Sequence, residues 1–329
     1  MYKRQILAEV RPDVVHFHHV SLWGSGALRA AREAGARVVL TLHDYHLICD
    51  TAVLLRRDLT PCAEGPRGEC TDCLRRHPLL PERWGGAPRD AAFAAAARER
   101  LARHRADLAA VDVAIAPSRF LAGVFLEAGL LAPSQLARLS YGYPGPLRPP
   151  RAPAPGGTLR VGYIGGLYPS KGVHVLVEAF RHLRGVDAAA EVRGHLDWFP
   201  DYVAELRRAA AGLPVRFTGP YTRAEVDLVL AGFDVLVVPS LWYENLPITI
   251  QEAYRNGLPV VATDLGGMAE SVADGVSGLL FPRGDAPALA ACLRRLAQDR
   301  GLLARLAQGR PAVPGLEPTV DRIEALYTG

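Results

Sequence analysis

Short apolar runs alternate with helix-like stretches along the whole chain, and this alternation constrains the fold more than any other feature. Residues 38–42, 113–116 and 235–238 form apolar runs of strand length, rich in β-branched residues. Stretches with apolar residues at helical spacing lie between such runs. Parallel strands need long crossovers, which a helix supplies. The sequence therefore predicts an α/β fold built from parallel βα units.

A proline-rich stretch divides the chain into two halves. Residues 143–157 contain six prolines, which neither a helix interior nor a central strand tolerates, so we interpret them as a linker. We predict a first domain over residues 1–150 and a second over residues 151–312. A last helical pattern at 319–327 follows three prolines, so residues 313–329 are expected to cross back to the first domain.

The predicted elements give each half its own sheet. Strands are predicted at residues 14–17, 38–42, 113–116, 159–164, 190–192, 215–217, 234–238, 259–262 and 278–281. Helices are predicted near residues 22–34, 91–110, 118–128, 171–183 and 319–327.

The composition is typical of a folded globular protein and limits the classes of partner that the chain is expected to bind. Hydrophobic residues make up 49% and charged residues 22% of the 329 residues, as in ordinary globular proteins. The net charge of +4 permits attraction to anionic substrates or a peripheral contact with an acidic membrane surface. The basic residues are spread along the chain, and no apolar stretch could cross a bilayer or serve as a signal-peptide core. We expect a cytoplasmic protein, at most peripheral at the inner face of the plasma membrane, with no nucleic-acid partner.

Four of the five cysteines fall in one loop-like stretch, residues 49–81, of the first half. They are Cys49, Cys62, Cys70 and Cys73. Clustered thiolates in a reducing compartment commonly hold structural zinc, and the last two form a Cys-x-x-Cys pair. The stretch is therefore predicted as a Cys-rich insertion with a structural zinc. Because the first spacing is irregular, reduced thiols or disulfides stay open as the alternative.

Two glutamates eight positions apart straddle the end of the apolar run at 235–238. Glu244 lies in the predicted strand-to-helix loop and Glu252 in the helix that Pro247 introduces. Ligands of open parallel sheets bind beyond the carboxyl ends of the strands. Two acceptor-only carboxylates there suit a polyol. The alternative is a loop acid at a helix N-terminus and a second acid on a solvated helix face.

Two glycine-rich loops follow other predicted strands. The first contains Gly165, Gly166 and Lys171 and opens a helix, where close backbone approach, unpaired N–H groups and a cation suit a diphosphate. The second, residues 264–270, has paired glycines and Glu270, which is expected to cap the next helix. Either loop alone is equally consistent with an ordinary tight turn.

Taken together, these motifs resemble the donor-binding half of retaining glycosyltransferases of family 4. The resemblance rests on residues 163–180, the Glu244 and Glu252 pair, residues 256–267 and residues 274–280, in matching order and spacing over most of residues 113–329. It implies the GT-B fold, in which two Rossmann-like domains with parallel sheets face a cleft. The donor is expected to be a UDP-, GDP- or ADP-hexose and the acceptor a glycan or a lipid-linked glycan.

The resemblance also implies roles for individual residues of the second half. Glu252 would accept hydrogen bonds from the ribose and Glu244 from the transferred hexose. The backbone amides of Asn245 and Leu246 would meet the diphosphate. Lys171 would neutralise the leaving nucleoside diphosphate without a required metal, with Gly165 and Gly166 permitting its approach. Relatives carry an Arg where this chain has Gly166, and Arg193 is expected to substitute for it.

The first half shares the resemblance in residues 13–19 and 41–44. His43 follows a predicted strand and matches a position that contacts the donor sugar near the reacting carbon, so it is assigned a catalytic role. His16, His18 and His19 are interpreted as structural. The family pattern has a further βα unit before residue 13, so the first domain is expected to be incomplete.

The predicted function is transfer of a hexose with retention of anomeric configuration. No enzymic nucleophile is expected; the leaving phosphate would help to deprotonate the acceptor. Nucleotide-sugar epimerases share the architecture, but we do not expect in them the combination of Lys171, Glu244 and Glu252. The remaining alternative is a catalytically impaired nucleotide-sugar-binding or scaffold protein derived from such a transferase.

Overall fold

The computed structural model describes residues 2–21, 23–49, 51–56, 58–62, 70, 90–150 and 157–328. The chain divides into two compact units. Unit 1 comprises Met1–Gly142 and Leu316–Gly329, and unit 2 comprises Tyr143–Gly315.

Unit 1 is a parallel sheet with helices between its strands. The strands, in the order β1-β2-β3-β4, are β1 (Val14–Phe17), β2 (Arg37–Thr41), β3 (Val113–Ala116) and β4 (Leu136–Arg138). The helices are α1 (Tyr2–Val10), α2 (Gly26–Glu33), α3 (Asp90–Leu108), α4 (Arg119–Glu127) and, at the end of the chain, α12 (Leu316–Thr328). Ser118 caps α4, because its side chain accepts a hydrogen bond from the backbone N–H of Leu121.

The last helix packs within unit 1. Its Ile323, Leu326 and Tyr327 contact a buried cluster from the sheet and the loop after β4: Val39, Ile115 and Leu139. The Arg37 Nε donates a hydrogen bond of 2.9 Å to the Leu326 carbonyl. Apolar packing and a backbone contact therefore both hold α12 against the sheet.

Unit 2 is a six-stranded parallel sheet covered on both faces. Its elements are β5 (Leu159–Ile164), α5 (Val173–Arg181), β6 (Ala188–Arg193), α6 (Pro200–Ala209), β7 (Val215–Gly219), α7 (Val226–Ala231), β8 (Val235–Val238), α8 (Ile248–Arg255), β9 (Val260–Thr263), α9 (Gly266–Ser271), β10 (Gly278–Phe281), α10 (Ala286–Gln298) and α11 (Arg300–Gln308).

The strand order of this sheet places a reversal at its centre. The order is β10-β9-β8-β5-β6-β7, so the chain runs outward from β5 to one edge, returns to β8 and runs outward to the other edge. Val161 of β5 pairs with Val235 of β8 at the reversal. Helices α5 and α6 pack on one face and α7 and α8 on the other. Open sheets of this type bind ligands at the reversal, beyond the carboxyl ends of the strands.

Elements of both units differ from the sequence expectations, beginning with helix α1, which was not predicted. The predicted loop at 264–270 is wrong, because helix α9 begins at Gly266 and Leu265, not Glu270, occupies its N-cap position. Strand β4 was not predicted, since Leu136, Ala137 and Arg138 include no β-branched or aromatic residue. Part of the proline-rich linker, residues 151–156, lies outside the described residues.

Gly172 provides a test of how tightly the loops after β5 and β8 pack. Its φ is +69°, and a Cβ built on it would lie 1.9 Å from the Pro239 carbonyl oxygen. Gly185 has φ +78° but open space around its Cβ position. We expect Gly185→Ala to destabilise by about 1–2 kcal/mol through backbone strain. Gly172→Ala should destabilise by roughly 1–3 kcal/mol more, because overpacking is added.

Urea unfolding of both variants measures this difference in the free energy of unfolding. Equal losses in the two variants would show that the contact with Pro239 is not tight.

Candidate functional site

The loops after β5 and β8 meet at the reversal of the unit 2 sheet. Gly165, directly after β5, has φ +146°, a conformation that favours glycine. The backbone N–H of Leu241, after β8, donates a hydrogen bond of 2.8 Å to the Ser170 carbonyl. Together with the contact between Gly172 and Pro239, this bond joins the two loops into one surface.

Lys171 and Glu244 form an ion pair where these loops meet. The Lys171 Nζ lies 2.6 Å from Glu244 Oε1, and their side chains are 21% and 10% exposed. Because the pair is largely shielded from water, its attraction depends on close geometry. Removing one partner would leave the other charge buried and uncompensated. Two residues predicted from separate motifs are thus in direct contact.

Two further donors, which the sequence analysis did not identify, fix the Glu244 carboxylate. The Ser240 hydroxyl donates a hydrogen bond of 2.7 Å and the Trp242 Nε1 one of 2.9 Å, both to Oε1. Lys171 donates to the same oxygen. Because all three bonds converge on Oε1, the other carboxylate oxygen, Oε2, retains acceptor capacity for a ligand hydroxyl. The sequence signal for Ser240 and Trp242 was weak, because it consists only of a serine and a tryptophan within four residues of a loop glutamate.

Lys171 also lies between two aromatic rings. Its Nζ is 5.1 Å from the Trp242 ring centroid and 5.8 Å from that of Tyr168. Burial lowers the pKa of Lys171, but the Glu244 carboxylate and Tyr168 more than offset this effect, so the pKa is raised and the ammonium stays charged. Only two of the 38 Lys and Arg residues in the chain are Lys. A compact ammonium therefore lies at this position in a chain whose other basic residues are nearly all Arg.

The turn after β5 places the Tyr168 ring where a side chain at Gly166 would lie. A Cβ there would lie 2.3 Å from Tyr168 Cε1, so the Tyr168 ring occupies the space that a larger residue would enter. The Tyr163 hydroxyl donates a hydrogen bond of 2.7 Å to the Gly166 carbonyl and fixes the turn. Burial raises the pKa of Tyr163 well above its usual value, so this hydroxyl keeps its proton.

Arg193, expected to substitute for the missing arginine, is engaged elsewhere in unit 2. Its Nε donates a hydrogen bond of 2.6 Å to Glu191 Oε1. Glu191 also accepts bonds from Arg216 and Thr218. Burial raises the pKa of Glu191, but these hydrogen bonds outweigh burial, and the pKa is lowered overall. The Glu191 carboxylate is therefore ionised and binds the Arg193 guanidinium.

A third strand end supports the backbone of the Glu244 loop. The N–H of Gly267, in α9, donates a hydrogen bond of 2.8 Å to the Glu244 carbonyl. A Cβ at Gly267 would lie 2.1 Å from the Asn245 carbonyl oxygen. Asn245 is buried and Leu246 is partly buried, and α8 begins at Ile248. The predicted diphosphate amides, at Asn245 and Leu246, therefore lie just before the helix, with Pro247 at its N-cap.

Glu252 differs from Glu244 in its surroundings. It lies one turn into α8 and is partly buried, and its carboxylate accepts no hydrogen bond from the described residues. Burial raises the pKa of Glu252 to about 7, with Arg223 and Arg255 acting in the opposite direction. A buried carboxylate without a protein donor suits a ligand that brings its own donors.

In unit 1, the predicted residue His43 belongs to a chain of stacked imidazoles. Its Nε2 lies 3.2 Å from His18 Nδ1 and its Nδ1 lies 3.3 Å from the Tyr141 hydroxyl. The His18 ring stacks in turn on His16 at 4.3 Å. Burial, and then the neighbouring His18, lower the pKa of His43, which favours the neutral imidazole.

His16 has the structural contacts that the sequence analysis expected. Its Nδ1 lies 2.7 Å from the Tyr327 hydroxyl and its Nε2 lies 2.8 Å from Thr41 Oγ1. Burial, and then His18 and His43, lower the pKa of His16 to about 4. His16 therefore links β1 to β2 and to α12 as a neutral ring.

The predicted zinc ligands are only partly described. Cys73 lies outside the described residues, and Cys49 Sγ is 3.1 Å from Thr51 Oγ1. Within the described ranges, no group of three or more His, Cys, Asp or Glu side chains is arranged to hold a metal ion. The structural zinc stays a prediction.

Two family models match the chain. The model described as Glycosyltransferase Family 4 matches residues 2–140, and the one described as Glycosyl transferases group 1 matches residues 158–299. The chain belongs to the glycosyltransferases of family 4. This finding confirms the family resemblance and the GT-B fold class that it implied.

Named relatives agree with this membership. A D-inositol 3-phosphate glycosyltransferase of Mycobacterium marinum is 31% identical over 239 residues, 70% of this chain and 47% of the relative. The amylovoran biosynthesis glycosyltransferase AmsK of Erwinia amylovora is 34% identical over 149 residues, 43% of this chain and 36% of the relative. The chain thus spans less than half the length of these two relatives.

Solved structures show the same fold. HepE of Anabaena, in complex with UDP-glucose, superposes with a TM-score of 0.68 at 19% identity, over 99% of this chain and 81% of HepE. Sucrose-phosphate synthase of Thermosynechococcus elongatus superposes with a TM-score of 0.69 at 20% identity, over 99% and 75% of the two chains. Among the described residues of this family 4 chain, none of the helices is long and apolar enough to span a membrane.

The raised pKa of Glu252 predicts a pH-dependent penalty for folding. Its folded-state pKa of about 7 lies above the reference value of 4.5. The folded protein therefore keeps this proton between those pH values, so stability falls as the pH rises from about 4.5 to about 7 and levels off above that. Glu252→Gln has no charge to bury, so it should raise the free energy of unfolding at pH 8 by about 1–3 kcal/mol and change it little near pH 4.5.

Urea unfolding at the two pH values measures this effect. Glu178→Gln, whose side chain is 48% exposed, is the control and should show no such difference. A Glu252→Gln variant that is no more stable than the wild type at pH 8 would contradict the assigned burial.

Proposed function

We propose that this chain transfers a hexose from a nucleotide-sugar donor to a glycan or lipid-linked acceptor, with retention of anomeric configuration. The observation that carries the proposal is the contact of 2.6 Å between Lys171 and Glu244 at the reversal of the unit 2 sheet. This contact joins a cation and a carboxylate at the sheet edge where such folds bind ligands. HepE, whose solved complex contains UDP-glucose, supports a donor of this class through its likeness to the chain.

In the proposed mechanism, the donor diphosphate replaces Glu244 as the partner of Lys171. The ammonium then faces phosphate oxygens and stabilises the charge that develops on the leaving group. The backbone amides of Asn245 and Leu246 add donors to the same phosphates. Lys171 already carries its charge in the ligand-free protein, so no proton needs to move for this step. No metal cofactor is required in this proposal.

The two carboxylates bind the two sugars of the donor. Ser240 and Trp242 hold Glu244 so that its Oε2 accepts a hydrogen bond from a hexose hydroxyl. Glu252 accepts hydrogen bonds from the ribose hydroxyls, which restore the solvation that its carboxylate lacks. His43, as a neutral ring, contacts the hexose near the reacting carbon.

Retention follows if the acceptor attacks the face from which the nucleotide leaves. The acceptor hydroxyl then passes its proton to the leaving phosphate, and no covalent enzyme intermediate forms. The relative named for amylovoran biosynthesis supports a glycan acceptor. Within the proposal, the acceptor is a glycan or a lipid-linked glycan, used on the cytoplasmic side or peripherally at the plasma membrane.

A second candidate function is nucleotide-sugar binding with impaired transfer. One pair of observations favours it: Tyr168 fills the space beside Gly166, and Arg193 is held by Glu191. The diphosphate then meets a single side-chain cation, Lys171, among the residues assigned to it.

Calorimetric titration with UDP-, GDP- and ADP-linked hexoses tests the proposal. We expect micromolar to millimolar binding of one donor and slow release of free hexose when no acceptor is present. Binding without hydrolysis or transfer would favour the second candidate, and no binding of any nucleotide sugar would contradict both.

Variants of the two glutamates test their separate roles. Glu252→Ala should weaken binding of both the nucleotide and the nucleotide sugar by about tenfold or more, since a buried polar contact of about 1.4 kcal/mol is lost. Glu244→Ala should leave nucleotide binding within about threefold and lower turnover by about a hundredfold or more. If both variants bind and turn over like the wild type, the assignment of these carboxylates is wrong.

A further inference from the structure

The loop after β6 lies beside the glycine turn of the proposed donor site. Residues 194–199 connect β6 to α6 at the carboxyl edge of the sheet. A Cβ at Gly194 would lie 2.0 Å from the Gly165 carbonyl oxygen, and the Gly194 N–H donates to the Gly219 carbonyl at 3.0 Å. The loop therefore begins in contact with the turn that leads to Lys171.

This loop presents an aromatic plane to solvent. The rings of His195 and Trp198 stack with centroids 4.1 Å apart and an interplanar angle of 8°. Trp198 is nevertheless 58% exposed. One face of the indole is thus supported by His195, and the side chain is held in place while much of its surface stays open. An exposed, oriented tryptophan beside a ligand-binding edge is a surface suited to recognition.

The residue that follows Trp198 in the chain, Phe199, contacts the loop of the proposed donor site. The Phe199 ring lies 5.7 Å from the Tyr168 ring, and Tyr168 lies 5.8 Å from the Lys171 Nζ. The loop that carries Trp198 is therefore linked to the ion pair of Lys171 and Glu244 through Phe199 and Tyr168.

The groups around the plane favour a sugar ring as its occupant. The Asp197 carboxylate is 84% exposed, and one of its oxygens lies 3.9 Å from His195 Nδ1. A pyranose has an apolar C–H face, which packs on an indole, and a rim of hydroxyls, which hydrogen-bond to carboxylate and imidazole. Residues 194–199 contain an Asp and no Lys or Arg, which disfavours an anionic membrane surface.

A nucleobase is a less suitable occupant, because the residue assigned to the ribose lies on the other face of the sheet. Glu252 belongs to α8, which packs with Ile164 and Leu236. Burial, and then Glu252, raise the pKa of Tyr221, and Tyr221 packs on that same face. By contrast, α6 packs with Val161 and Tyr163 on the opposite face.

We propose that Trp198, supported by His195, is a stacking platform for a pyranose ring. The inference rests on the proposed function in that the ring belongs either to the hexose of the donor or to the acceptor glycan. The platform adds affinity for the sugar and leaves the nucleotide contacts unchanged.

Two binding experiments on the full chain distinguish the two sources of the ring. In the donor arm, UDP and UDP-glucose, UDP and UDP-galactose, and GDP and GDP-mannose are titrated as pairs. In the acceptor arm, the methyl glycosides of glucose, galactose and mannose are titrated while the four indole N–H signals are followed by NMR. Trp198→Phe keeps a smaller aromatic ring, and the signal missing from its spectrum is that of Trp198. Trp198→Ala removes the platform. Trp23→Ala, at a tryptophan that is 51% exposed in unit 1, is the matched control.

We expect Trp198→Ala to weaken the binding measured in one of the two arms by about fivefold to tenfold. Trp198→Phe should be intermediate, Trp23→Ala should bind like the wild type, and no variant should change the thermal midpoint of unfolding. Weaker binding of a nucleotide sugar, with unchanged binding of its nucleotide, assigns the donor hexose. A shift of the wild-type Trp198 indole signal on adding a methyl glycoside, together with weaker calorimetric binding of that glycoside by Trp198→Ala, assigns the acceptor. If Trp198→Ala binds like the wild type in both arms, the platform is refuted. If the wild type binds no nucleotide, that result counts against the proposed function, and the methyl-glycoside arm then decides whether the platform exists.

Discussion

The ion pair between Lys171 and Glu244 is the contact around which the loops of the proposed donor site are arranged. Its partners come from loops about 70 residues apart in sequence, and they meet because β5 and β8 are neighbours at the reversal of the sheet. Gly172 lets the first loop pack against Pro239, and Gly267 lets α9 support the backbone of the second. The scaffold thus fixes two opposite charges away from water, where a charged ligand can exchange with one of them.

The two glutamates of the eight-residue spacing have opposite environments, and this difference indicates different tasks. Glu244 accepts three hydrogen bonds at one oxygen and belongs to a fixed arrangement. Glu252 has no donor recorded among the described residues, and burial brings its pKa to about 7. A carboxylate left in that state lowers the stability of the empty protein, and a ligand hydroxyl relieves the deficit on binding. At the proposed ribose contact, the ionised Glu252 is therefore expected to lower the free energy of unfolding while it strengthens binding of the donor.

Much of the fold follows from local sequence, but the contacts that shape the site do not. Runs such as 113–116 and 278–281 indicate strands because they are apolar, of strand length and followed at once by a proline, and the structure has strands at those residues. Helix α9 escaped prediction because Gly266 and Gly267 are poor helix formers, and the tertiary contact of Gly267 with the Glu244 loop outweighs that propensity. Lys171 and Glu244 were each found from their loops. The contributions of Ser240, Trp242 and Tyr168 depend on how two distant loops pack, which no local pattern records.

The central claim is that Lys171, Glu244 and Glu252 bind one nucleotide sugar between them. A crystal structure of the chain with its bound donor tests this claim most directly. We expect Lys171 Nζ to leave Glu244 and to lie within about 3 Å of a diphosphate oxygen. Glu244 should then accept from the hexose and Glu252 from the ribose. A donor bound elsewhere, or one that leaves the Lys171 and Glu244 pair intact and untouched, would contradict the account.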